Sequence, residues 1–386
     1  MTWEARFLRL WQTRSPLELA LLPAAAMFGA LTGLRRVLYR CGVYRAPRLP
    51  VPVIVVGNLI AGGAGKTPTV MAIVELLRRH GYQPGVISRG YGRGDRRGDR
   101  RGDQRSSSAE PSANAACMDV RADMSAALCG DEPLLIHLRT GAPVVVGRDR
   151  VAAARHLLRS HPYVDVLVSD DGLQHLRLAR TAQVLVFDER GAGNGWLLPA
   201  GPLRERLPAQ VPARSVVLYN AAAPSTPLPG HLAQRSLGGV VALAAWWQGQ
   251  PVSQSALLGL RGRPLVAAAG LARPERFFDM LRAADLTITA LALPDHHAYA
   301  RLPWLTDTAD VVLTEKDAIK IAAHRVGTTR VWVAALEFRP PAAFDAALLA
   351  LLPGPHPLLL SSSPPPSPPS SPFPPSPGSA HGNASA

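Results

Sequence analysis

A chain of 386 residues is longer than one hydrophobic core usually serves, since single cores stop growing at roughly 250 to 300 residues, so two domains are expected. The three cysteines, Cys41, Cys117 and Cys129, form no CxxC pair, which argues against a disulfide framework or a zinc ribbon and fits a reducing compartment. Forty-two Lys and Arg against 28 Asp and Glu leave +14, a balance that favours anionic partners without choosing among phosphorylated ligands, nucleic acid and an acidic bilayer.

The chain opens with Arg6, Arg9 and Arg14, an apolar run from Leu19 to Leu34, and then Arg35, Arg36, Arg40, Arg45 and Arg48. Cations on both flanks argue against a cleaved leader, and the run is short of the roughly 20 residues a spanning helix needs and is interrupted by Pro23. A helix lying in the membrane plane is expected over residues 1–48, with Trp3, Phe7, Trp11 and Phe28 toward the acyl boundary and arginines toward anionic head groups. A helix packed on the protein's own core is the competing reading.

Val51 to Val56 is β-branched, bounded by Pro50 and Gly57, and predicts a buried strand that feeds a glycine-rich turn and a helix from Thr67 to His80. The turn reads GNLIAGGAGKTP from Gly57 to Pro68. Ile60, Ala61, Gly62, Gly63, Ala64 and Gly65 offer backbone N–H groups to phosphate oxygens at a helix N-terminus, Lys66 adds a charge for the β and γ phosphates, and the Thr67 hydroxyl suits Mg²⁺. The strict phosphate-loop pattern wants Gly where Ile60 stands, so the flanking strand and helix carry the assignment.

Gly94 to Ser108, GDRRGDRRGDQRSSS, has no apolar face and reads as a disordered surface insert. Val144 to Val146 predicts a short strand, after which Arg148 and Arg150 in GRDR are candidates for a phosphate on the substrate or for a solvated cluster. Val164 to Val168 predicts a second buried strand delivering Asp170 and Asp171 to the nucleotide crevice, as a Walker B element does; taken alone the pair equally fits a turn cap. Val184 to Phe187 and Ser215 to Tyr219 supply further strands.

The fold class expected is α/β: a P-loop NTPase-like, mostly parallel sheet with helices on both faces at 49–228, plus a smaller C-terminal α/β lobe at 229–352. Strands in that lobe are expected at Leu265 to Ala269, Val311 to Leu313 and Val331 to Val333. From Pro353 to the end, Pro and Ser repeats predict a disordered tail.

GNLIAGGAGKTP, SRGYGR at Ser88 to Arg93, GDEP at Gly130 to Pro133, SDDGLQH at Ser169 to His175, AGPLRE at Ala200 to Glu205, LPDHH at Leu293 to His297 and TEKDA at Thr314 to Ala318 stand in one order. Together they resemble the tetraacyldisaccharide 4′-kinase family of lipid A synthesis, from about Arg14 to Leu352, with the Arg-rich insert and the Pro/Ser tail as departures. The resemblance implies transfer of the ATP γ-phosphoryl group to the 4′-hydroxyl of a tetraacylated glucosamine disaccharide 1-phosphate, a lipid A precursor, by an enzyme peripheral or monotopic on the cytoplasmic face of the bacterial inner membrane. It also implies that Asp131 is the base for the sugar hydroxyl and is paired with His296, in preference to His297.

Phosphoryl transfer is positioning and charge neutralisation. Lys66 and the loop amides would serve the phosphates of ATP, while Thr67, Asp170 and Asp171, with Gln174 and Glu205 completing the surroundings, would serve Mg²⁺. Tyr91 in the RGYGR segment is a candidate for stacking on the sugar. The competing readings are a P-loop ATPase or GTPase switch that phosphorylates no sugar, for which no guanine-specifying NKxD is present, and a nucleic-acid-binding protein, the least expected. No obligate protein partner is expected.

Overall fold

Val53–Gly57 (VIVVG) is buried along its whole length and forms β1, an inner strand of an eight-stranded sheet. The computed structural model describes Trp11 and residues 16–90 and 117–355. Tyr91, the Arg-rich insert 94–108, Trp3 and Phe7, and the tail beyond residue 355 lie outside the described residues.

The described residues divide into two compact units that are interleaved along the chain. The first takes the residues up to Val120, Ala142–Arg235 and the segment from Phe338; the second takes Arg121–Gly141 and Ser236–Glu337. Arg121–Gly141 thus belongs to the second unit although its sequence lies inside the stretch 49–228.

In the first unit the remaining strands are β2 (Pro84–Ser88), β3 (Met118–Asp119), β4 (Val144–Val146), β5 (Val166–Asp170), β6 (Ala182–Asp188), β7 (Ser215–Asn220) and β8 (His231–Leu232), in the order β3-β4-β2-β5-β1-β6-β7-β8. All pairings are parallel except the antiparallel β3 at the edge. Strands covered on both faces read as continuous apolar runs, which is how β1, β4, β5 and β6 announce themselves in the sequence. β2 escapes that reading because it opens with Pro84 and Gly85, yet Gly85 is demanded by packing: a Cβ there would meet Leu157 Cδ2 at 2.7 Å.

The chain leaves β1 toward β2 on one side and later returns to lay β6 on the other. That reversal beside β1 is where open parallel sheets bind ligands, outside the carboxyl ends of the strands. The helix Lys66–Arg79 follows β1 and buries Val70, Ile73, Val74 and Leu77 at the spacing of one helical face. The N-terminal helix Leu22–Arg40 packs Ala25, with Leu21, Leu22 and Phe28, on the core formed by residues such as Ile60 and Leu203, and leaves Met27, Leu31, Leu34 and Val37 exposed. Among the described residues no helix is long and apolar enough to cross a membrane.

The second unit carries a five-stranded sheet of β9 (Gln234–Ala242), β10 (Leu265–Ala269), β11 (Ile288–Ala292), β12 (Asp310–Thr314) and β13 (Arg330–Arg339), ordered β11-β10-β12-β13-β9. Its own core gathers Leu265, Phe277, Phe278, Leu281 and Val312.

Candidate functional site

In the first unit the turn after β1 is held from outside by side chains. The carbonyl oxygens of Ala61 and Gly63 accept from Arg190 at 3.2 and 2.7 Å, that of Gly62 from Asn58 at 2.9 Å, and that of Ala64 from Asn220 at 3.0 Å. In a planar trans peptide each C=O points opposite to the next N–H, so four carbonyls aimed at these donors turn the amides of Gly62, Gly63, Ala64 and Gly65 the other way. Gly65 caps the helix in a left-handed conformation (φ 90°), and a Cβ there would lie 2.0 Å from Asn220 Nδ2. The result is a row of amides at a helix N-terminus, the arrangement that binds phosphate.

The clamps sit on strand ends at one edge of the sheet. Arg190 is fixed by Asp188, at the end of β6, through an ion pair at 2.9 Å, and Asn220 ends β7. Asn58, Arg190, Asn220 and Arg204 carry no motif of their own; for the first three, a donor side chain just past a predicted strand is the signal in the sequence.

Lys66 begins the helix with Nζ 3.4 Å from Asn58 Oδ1 and 3.4 Å from Asp171 Oδ1. Asp170 ends β5 beside β1, in register with Val56, and is buried with its carboxylate accepting from the Ser88 hydroxyl at 3.2 Å. Asp171 follows with φ 49°, a left-handed conformation costing a non-glycine residue about 1 to 3 kcal/mol and characteristic of functional positions. Burial pushes the Asp171 carboxyl up, but Lys66 and Arg204 outweigh it and hold it below the usual carboxylate range.

Of the other candidates in this unit, Gln174 donates to the Asn58 carbonyl at 3.2 Å and accepts from Arg204 at 3.4 Å, and Glu205 is ion-paired with Arg36 of the N-terminal helix. Arg150 is buried and donates to the Gly147 and Asp170 carbonyls at 2.8 and 3.3 Å, tying the ends of β4 and β5 together, whereas Arg148 is exposed. Among the described residues no three His, Cys, Asp or Glu side chains gather as a metal cage. Mg²⁺ does not require one: it keeps several waters and is held by one or two carboxylates together with substrate phosphates, a donor set that Thr67, Asp170 and Asp171 suit.

In the second unit a different chemistry is assembled. Asp131 begins the helix Asp131–Thr140, and His296 stands in the turn after β11 with φ 57°. Their side chains meet, His296 Nδ1 lying 2.7 Å from Asp131 Oδ2, with the carboxylate 5% and the imidazole 41% exposed. His297 is engaged otherwise, its Nδ1 accepting from the Tyr299 N–H at 3.2 Å.

Burial would push the Asp131 carboxyl up, but the hydrogen bond from His296 and the charges of Lys316, His296 and Lys320 hold it well below the usual range. The same hydrogen bond raises His296 against burial. Lys316 places Nζ 3.4 Å from Glu132, 3.5 Å from Asp295 and 3.5 Å from His296 Nε2. Burial pulls its ammonium down, and Glu132, Asp295 and Asp131 more than reverse that.

A doubly flanked parallel sheet with a lysine-bearing phosphate loop after β1 defines an α/β protein of the phosphate-loop class. The model of the tetraacyldisaccharide-1-P 4′-kinase family matches residues 17–353, and the chain belongs to that family. It is 55% identical over 350 residues to the tetraacyldisaccharide 4′-kinase of Methylibium petroleiphilum, covering 89% of this chain and 92% of that one. It is 52% identical over 357 residues to the protein of the same name from Leptothrix cholodnii, covering 92% and 97%. Among solved structures, LpxK from Aquifex aeolicus, crystallised in complex with ATP, shares the fold with a TM-score of 0.66 at 24% identity, over 87% of this chain and all of that one.

Proposed function

We infer that the chain transfers the γ-phosphoryl group of ATP to the 4′-hydroxyl of a tetraacylated glucosamine disaccharide 1-phosphate. Membership of the kinase family supports this, and one geometric observation carries it over a nucleotide switch: Asp131 and His296, 165 positions apart, meet at 2.7 Å. A hydrolytic switch needs a positioned water, whereas an alcohol acceptor calls for a group that takes its proton as attack proceeds, worth roughly 10² to 10⁴ in rate.

In this reading the amides of Gly62 to Thr67 and the Lys66 ammonium bind and orient the triphosphate, and Lys66 neutralises charge developing on the β and γ oxygens. Asp131 and His296 accept the hydroxyl proton as one coupled pair, the carboxylate ionised and the imidazole fixing its direction. Thr67, Asp170 and Asp171 would hold Mg²⁺, which supplies further charge neutralisation at the phosphates when bound. Gln174 and Glu205, engaged with Arg204 and Arg36, shape the surroundings. Arg148, exposed after β4, remains the candidate for a substrate phosphate, while the buried Arg150 donates to two carbonyls.

The exposed face Met27, Leu31, Leu34 and Val37, next to Arg35 and Arg40, suits an anionic bilayer surface, where a substrate with four acyl chains resides. Incubation with γ-labelled ATP and the tetraacyl disaccharide 1-phosphate in mixed micelles tests the reaction: label is expected in the lipid, and label confined to free phosphate would favour the switch.

A further inference from the structure

Behind the Asp131 carboxylate lies a lysine that the reaction scheme above does not use. Lys320, just after the helix Glu315–Ala318, places Nζ 3.3 Å from Asp131 Oδ2 and 4.0 Å from Asp317 Oδ1, with its side chain 8% exposed. Taking an ammonium out of water costs several kcal/mol unless it is paired, so a buried lysine between two carboxylates answers to both.

The two carboxylates differ in how they are held. Asp317 is fully buried and fixed three ways: its oxygens accept from the Gly270 N–H at 3.1 and 3.2 Å and from the Thr314 hydroxyl at 2.7 Å. The ring of Tyr299, itself buried, lies 6.0 Å from the ammonium. Asp131 is anchored more lightly, its Oδ1 accepting the Glu132 N–H at 3.0 Å and its Oδ2 facing His296. An ammonium standing 4.0 Å from the more firmly bonded carboxylate and 3.3 Å from the other can therefore hold the second in place.

Resting on the assignment of Asp131 and His296 as the proton-accepting pair, we propose that Lys320 is a positioning residue for phosphoryl transfer: backed by Asp317, it pins the Asp131 carboxylate against the His296 imidazole. The charged groups facing this pair are Lys316, Glu132, Asp295, Lys320 and Asp317. Lys316 lies at ion-pairing distance from Glu132 and Asp295 and acts on Asp131 through its charge, whereas Lys320 stands 3.3 Å from the Asp131 carboxylate itself. A purely structural lysine would set the stability of the unit; a positioning lysine also sets the pH at which Asp131 works.

The test is the pH profile of kcat/KM for full-length Lys320→Met, Lys320→Gln and Lys320→Arg, with Asp131→Asn beside them. Removing the cation weakens the opposition to burial while the His296 hydrogen bond and the Lys316 charge remain, so Met and Gln should lower kcat about tenfold or more and move the acid limb to higher pH, with both KM values within about twofold. Arg, keeping the charge, should return the limb most of the way. Near-normal turnover in Asp131→Asn would sink the proton-accepting pair itself. With Asp131 essential, unchanged kcat, or a loss equal at every pH with the limb unmoved, overturns the role of Lys320. Should Met fail to fold, Gln and Arg carry the same decision.

Discussion

Lys66 is the residue on which nucleotide use turns. Its ammonium stands beside Asn58 and Asp171 at the start of a helix whose preceding amides are already oriented, so Lys66→Ala removes charge without disturbing a strand. A fall in turnover of at least about a hundredfold is expected with an unchanged circular dichroism spectrum, and near-normal turnover would refute the role. His296 gives a pH prediction. Its hydrogen bond lowers Asp131, so in His296→Gln burial pushes the carboxyl up and the acid limb of kcat/KM moves to higher pH; an unmoved limb would count against coupling of the pair. The same shifts bear on stability. Asp131, lowered in the fold, contributes fully above the unfolded carboxylate value of about 3.9 and loses that contribution as pH falls; His296, raised, contributes fully below about 6.5 and loses it as pH rises. Thermal unfolding of the wild type minus that of His296→Gln should therefore be largest between those limits.

At the scale of elements, the phosphate loop is shaped by its clamps as much as by its glycines. Gly65→Ala adds a Cβ 2.0 Å from Asn220 Nδ2 and forces φ 90° on a residue that avoids it. Loss of measurable adenine nucleotide binding by calorimetry is expected, whereas Gly63→Ala, where a Cβ meets nothing within 4 Å, should bind within about threefold of the wild type. The N-terminal helix has two faces with separate duties. Ala25 and Phe28 pack on the core, while Leu31, Leu34 and Val37 do not, so Leu31→Ser with Leu34→Ser should lower sedimentation with anionic vesicles without lowering the melting temperature. Pelleting equal to wild type would remove the bilayer reading of that face.

Much of this protein is legible in its sequence for a physical reason. Strands buried on both faces must be continuously apolar, and a phosphate loop must combine small residues, a lysine and a hydroxyl, so β1, β4, β5, β10 and the loop ending in Gly65, Lys66 and Thr67 could be located from residues alone. Local order carried the family resemblance, which the family match over residues 17–353 bears out. What tertiary structure alone decided is which distant groups share a hydrogen bond. Asp131 lies in sequence between strands of the first unit, yet it packs in the second with His296, Lys316 and Lys320; Arg150, a candidate for a ligand phosphate, is drawn inward to cap the ends of β4 and β5. Periodicity reports the face a residue presents to its own element, because that is set by backbone geometry over a few residues. The partner of a buried charge is set by chain topology over hundreds, and no local pattern encodes it.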